Sequence, residues 1–80
     1  MNTNNIVIPP FTEGSEVVCT RNSFEIDYDG RFIGNCECTK GSEYIIDGCV
    51  WSWKSGWSVS ITGELHDARD FVAKGQEIKG

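Results

Sequence analysis

Eighty residues, with twelve acids against seven bases and a net charge of −5, set narrow limits. A chain this short is one domain and buries only about 60–65% of its unfolded surface, which leaves one modest core and no deep, water-excluding cleft. The charge is unevenly placed: Phe11 to Asp47 holds eight acids and three bases, and Gly48 onward holds four of each.

Met1 to Pro10 reads as an extended lead-in (residues 1–10), and residues 11–80 as a single domain. The lead-in has no positive n-region, and Ile6-Val7-Ile8 is too short for a signal-peptide core or a membrane span. The expectation is a cytoplasmic chain without a membrane segment.

Ser15 to Thr20 reads as a short strand. Ser23 to Tyr28 alternates, with Phe24, Ile26 and Tyr28 on one face and Glu25 and Asp27 on the other. Asp29-Gly30 is a strong hairpin signal, because a type I′ turn needs positive φ at both central residues. Pairing across it sets Tyr28 opposite Arg31 and Ile26 opposite Ile33. Phe32 then falls on the side of Asp27, a conflict that calls for a bulge or a sheet covered on both faces. The returning strand runs to about Cys38, and Glu43 to Ile46 is another, ended by Asp47-Gly48.

Cys49 to Trp53 and Trp57 to Thr62 form a second hairpin around Lys54-Ser55-Gly56. Its expected register sets Trp53 opposite Trp57, Trp51 opposite Val59 and Cys49 opposite Ile61, all on one apolar face. After Gly63, Leu65, Ala68, Phe71 and Val72 recur at helical spacing, with acids in the first turn and Lys74-Gly75 at the end. This predicts a helix over residues 64–75, with Asp70 and Lys74 as an i,i+4 pair. The expected fold class is α+β: an antiparallel sheet of four to six short strands packed, tryptophan face inward, against one C-terminal α-helix.

The catalytic inventory is thin. His66 is the one histidine and falls in the first helical turn, where a solvated or capping role is expected. No G-x-S-x-G, H-E-x-x-H, P-loop or G-x-G-x-x-G motif occurs. No enzymatic activity and no cofactor are expected. Cys19, Cys36, Cys38 and Cys49 would be the ligands of any metal, but structural zinc normally takes two closely spaced pairs and only Cys36 and Cys38 are close. Reduced, partly buried thiols are expected instead.

Aromatic residues on a sheet can stack bases, but such platforms sit in basic grooves. The acidity argues against direct nucleic-acid binding and for a protein partner with a basic surface. The candidate contact residues are Glu25, Asp27, Asp29, Glu37, Glu43 and Asp47, which would compete with nucleic acid for a basic groove if spaced like phosphates.

The segment from Trp57 to Val72 resembles a strand–turn–helix module of small phage and mobile-element proteins: Leu65, Asp67, Ala68, Arg69, Phe71 and Val72 match in order, and Glu64 departs from the usual Ser or Thr cap. With the size, the acidity and the missing active site, the chain is similar in style to phage-encoded inhibitors of bacterial immunity, the anti-CRISPR proteins above all. That resemblance implies a stoichiometric inhibitor, monomer or homodimer, that binds a CRISPR effector complex and keeps target DNA from its basic channel. The alternative is a small structural or accessory module whose acidity serves solubility.

Overall fold

The computed structural model describes residues 8–76, so residues 1–7 of the expected lead-in lie outside the described residues. Eight strands follow one another: β1 (Glu16–Cys19), β2 (Ser23–Ile26), β3 (Phe32–Cys38), β4 (Glu43–Ile45), β5 (Gly48–Ser52), β6 (Gly56–Ile61), β7 (Glu64–Asp67) and β8 (Phe71–Ala73). They form two antiparallel sheets rather than one, in the orders β4-β1-β8 and β3-β2-β7-β6-β5.

The expected C-terminal helix is not there, and the fold is all-β rather than α+β. Residues 64–75 instead form β7, a 3₁₀ turn over Ala68–Asp70, and β8. The cause lies just upstream. Thr62 and Gly63 both take positive φ, 50° and 84°, and Ile61 pairs with Glu64. That is the geometry of a two-residue hairpin, and it sends the chain back along β6 as a strand. Asp67 then caps the 3₁₀ turn by accepting from the Arg69 backbone N–H, and the turn carries the chain from the large sheet to the small one. The side chains that a surface helix would leave in water are buried here: His66 is 1% exposed and Asp70 7%. Asp70 pairs with Arg21 and Lys74 with Glu16 and Glu43, so the expected Asp70–Lys74 pair does not form.

Thr62 is the one described non-glycine residue with positive φ, a conformation that a β-branched side chain adopts at a cost. Thr62→Asn, which supplies the preferred Asn-Gly pair, is expected to raise the unfolding free energy by about 1 kcal/mol, read as a higher urea midpoint at unchanged slope.

The β5–β6 hairpin closes one residue earlier than expected. Its loop is Trp53-Lys54-Ser55, and the pairs are Trp51 with Trp57, Cys49 with Val59 and Ser52 with Gly56. Each partner moves by two, so side-chain parity survives and Trp53 leaves the sheet for the loop. The tryptophans are consequently not the core: Trp53 is 82% exposed and Trp51 48%, and only Trp57 packs against the buried cluster.

The β2–β3 hairpin also differs. Ile26 pairs with Phe32, whereas Phe24 pairs with Glu37, so β3 carries a bulge that includes Gly34 at φ 84°. The bulge resolves the Phe32 conflict by breaking alternation. Ile26 turns inward, while Phe24, Tyr28 and Phe32 are exposed. The core is one cluster fed by both sheets, with Val17 and Cys19 from β1, Phe71 from β8, Cys38 from β3, Val59 and Ile61 from β6, and Ile46 and Ala68 from the connections.

Candidate protein-binding surface

The six acidic candidates do not form one array. Glu25 and Glu37 belong to β2 and β3, Asp27 and Asp29 to the turn between them, Glu43 to β4 of the other sheet, and Asp47 to the link into β5. Several have local tasks. The Asp27 carboxylate accepts from the backbone N–H groups of Asp29 and Arg31, both at 2.9 Å, and the Arg31 bond in particular holds its pKa below the usual carboxylate value. Asp47 accepts from the Gly63 N–H at 3.2 Å and so braces the Thr62-Gly63 turn. Asp29 lies 3.7 Å from the Lys54 ammonium, and Glu43 lies 3.2 Å from that of Lys74. Glu37 is exposed on β3, and Glu25 is half-buried.

Two hairpin tips meet beside this acidic turn. Ser55 Oγ donates to the Tyr28 carbonyl at 3.2 Å, and a Cβ on Gly30 would stand 2.9 Å from the Ser55 Cβ. Gly30 also has φ 86°, so both space and backbone conformation require glycine. The turn stands between two open recesses. One, of about 380 Å³, is lined by Tyr28, Asp29, Trp51, Ser52 and Trp53. The other, of about 370 Å³, includes Phe24, Gly30, Phe32, Asp67 and Asp70. Phe24 and Phe32 pack edge to face at 6.3 Å, and Trp51 and Trp57 at 5.5 Å with tilted rings.

Exposed aromatic residues are therefore the feature that sequence reasoning missed. Among the described residues, six of the eight large hydrophobics exposed to solvent (Phe24, Tyr28, Phe32, Ile33, Trp51 and Trp53) belong to β2, β3, β5 or their hairpin loops. The signal available was the Phe32 parity conflict and the place of Trp53 directly before Lys54-Ser55-Gly56.

A second polar cluster lies inside. His66 Nδ1 is 3.1 Å from Ser23 Oγ, and its Nε2 is 3.7 Å from Cys38 Sγ. The Cys19 thiol donates to the Arg21 carbonyl at 2.7 Å and, more weakly, to the Cys38 carbonyl at 3.4 Å. Burial pushes the Cys19 thiol pKa up and the His66 pKa down. A thiol nucleophile needs the opposite shift and access to substrate, whereas Cys19, Ser23, Cys38 and His66 are all buried. The histidine expected to be solvated or capping is thus a core residue bonded to Ser23.

Among the described residues no three His, Cys, Asp or Glu side chains converge as metal ligands. Cys19 and Cys38 are buried in the core, while Cys49 is half-buried and donates to the Phe11 carbonyl at 3.4 Å. Cys36 belongs to β3, and its side chain lies outside the described ones. No helix among the described residues is long and apolar enough to cross a membrane. The chain matches no family model, no curated protein and no solved structure.

Proposed function

We propose that the chain is a non-catalytic binding protein that docks its aromatic and acidic surface onto a basic groove of a partner protein and so denies that groove to nucleic acid. The observation that carries this reading is the cluster of exposed rings around the Asp27–Arg31 turn. Single exposed hydrophobics are ordinary, but grouped aromatic residues rimmed by charge are the composition of an interface, where rings supply contact area at low entropy cost. The carboxylates of Glu37 and Asp29 beside them favour a basic partner and speed its encounter. The choice of a CRISPR effector complex as that partner rests on the resemblance to phage-encoded inhibitors.

The direct test adds the purified protein to a guide-loaded effector complex and measures binding of labelled target DNA. The expected result is loss of DNA binding near a one-to-one ratio, weakening between about 50 and 300 mM salt as the charge pairs are screened. Phe32→Ser with Glu37→Lys is expected to remove the inhibition while leaving the urea midpoint nearly unchanged, because both side chains are exposed. Unchanged DNA binding across several effector classes would leave the chain an accessory module, and sedimentation would then show whether the aromatic surface joins two copies.

A further inference from the structure

We propose that Tyr28, Asp29, Trp51 and Trp53 form a receptor for one arginine side chain of the partner protein, with Lys54 as a neighbouring cation that competes with the arginine for Asp29 and the Trp53 ring. The inference rests on the reading that the chain binds a basic protein, and it names the chemistry of one contact.

The recess of about 380 Å³ is walled by three aromatic residues, one carboxylate and Ser52. Ring faces carry negative potential and attract cations within about 6 Å of the centroid, and a neighbouring carboxylate adds a full charge of the same sign. The structure already sets a cation beside two of these walls. The Lys54 ammonium stands 5.4 Å from the Trp53 ring centroid and 3.7 Å from Asp29 Oδ1. This pairing is loose: the Lys54 side chain is 49% exposed, and 3.7 Å is longer than a charge-assisted hydrogen bond.

A guanidinium fits the same surroundings better. It is planar, stacks on an indole face, donates two parallel hydrogen bonds to one carboxylate and is less strongly hydrated than an ammonium. Asp29 is positioned for this role, since the Asp27 carboxylate takes its backbone N–H and leaves its own side chain directed at Lys54. The wall is stiff where it needs to be, because Ser55 ties the Trp53–Ser55 loop to the Tyr28 carbonyl. Ser52 Oγ accepts from the Lys54 N–H at 3.2 Å, which ties the Lys54 backbone to the rim of the recess. An open recess buries a small free ligand poorly, but it suits a side chain whose backbone is held by a larger interface.

The test titrates the full chain with the peptide Ac-Gly-Arg-Gly-NH2, followed by the indole N–H signals of Trp51 and Trp53 in ¹H–¹⁵N spectra. The expected result is saturable movement of both signals at millimolar peptide. Lys54→Gln should tighten the apparent Kd at least about threefold by removing the competitor, and Asp29→Asn should weaken it by a similar factor. Trp53→Ala should abolish the Trp51 response. Equal shifts with Ac-Gly-Gln-Gly-NH2, no gain from Lys54→Gln, or larger shifts with methyl glucoside would each overturn the proposal. If the peptide fails while the chain still displaces DNA from an effector complex, the arginine receptor falls and the inhibitor reading stands. The reverse result keeps the receptor and removes the inhibitor.

Discussion

Phe71→Ala is expected to lower the unfolding free energy by about 3–5 kcal/mol, a large share of the total for a domain of this size. Phe71 is 4% exposed and sits where the 3₁₀ turn hands the chain to β8. Its ring meets Tyr44 edge to face at 6.3 Å and His66 at 6.2 Å, so it joins β4, β7 and β8 in one packing unit. Its backbone pairs with Cys19, and its N–H bonds to the Ala68 carbonyl, so the strand is held on both sides of the void that alanine would leave. A site that cannot collapse pays the cavity term as well as the transfer term. Urea denaturation followed by tryptophan fluorescence measures the change. Trp53→Ser, at a side chain 82% exposed, is the control and should stay within about 0.5 kcal/mol of the parent. Equal midpoints for Phe71→Ala and the parent would mean that β8 is not part of the cooperative unit.

Stability is expected to fall with acidification, beginning below pH 6.5 and falling further below 3.8. Burial depresses the His66 pKa below its ordinary 6.5, against the opposing pull of Glu64, Glu25 and Asp70. The unfolded chain then binds a proton that the folded chain resists. The stabilisation from this group is complete above pH 6.5 and is lost as the pH falls from there through the folded value, at a slope of at most about 1.4 kcal/mol per pH unit. Asp67, held low chiefly by the Arg69 side chain, and Asp27, held low chiefly by the Arg31 N–H, act in the same direction. Their contributions are present above 3.8 and lost as the pH falls through their folded values. Urea midpoints at pH 8, 6.5, 5, 3.5 and 2 should therefore decline in a first step that begins below 6.5 and a further one below 3.8. His66→Gln should flatten the first step and leave the second, whatever it does to the baseline. A first step that survives in His66→Gln would assign it to another group.

How much of this was legible in the sequence follows from what each signal can distinguish. The six strands before Gly63 were readable because turn residues punctuate them, and Asp29-Gly30 and Lys54 to Gly56 mark real hairpins. Register within the second hairpin was not readable, because a shift of two residues keeps the same side chains on the same face. The false helix arose from an ambiguity of period. His66, Ala68, Asp70 and Phe71 are the buried residues of residues 64–73, strand alternation broken once by a 3₁₀ turn, and four apolar residues near that path mimic a helical stripe. Thr62-Gly63 was the contrary clue, weaker than Asn-Gly because threonine rarely takes positive φ. The acids showed their total charge but not their engagement: Asp27 and Asp47 brace turns, and Asp29 and Glu43 hold lysines. For the exposed rings composition misled, since tryptophan at strand spacing is ordinarily core.

The central strand of the small sheet has a consequence for how the chain folds. β1 is completed on one side by β4 and on the other by β8, so Val17 must find Tyr44 and Ala73 before its backbone is satisfied. The second closure joins residues more than fifty positions apart, and its entropy is spent before the contact stabilises anything. Chains dominated by such distant pairings fold in milliseconds to seconds rather than microseconds. On the ribosome, β1 emerges before β8 and stays half-paired until Phe71–Ala73 is made, so a nascent chain that lacks β8 exposes Val18 and Cys19 along an open edge.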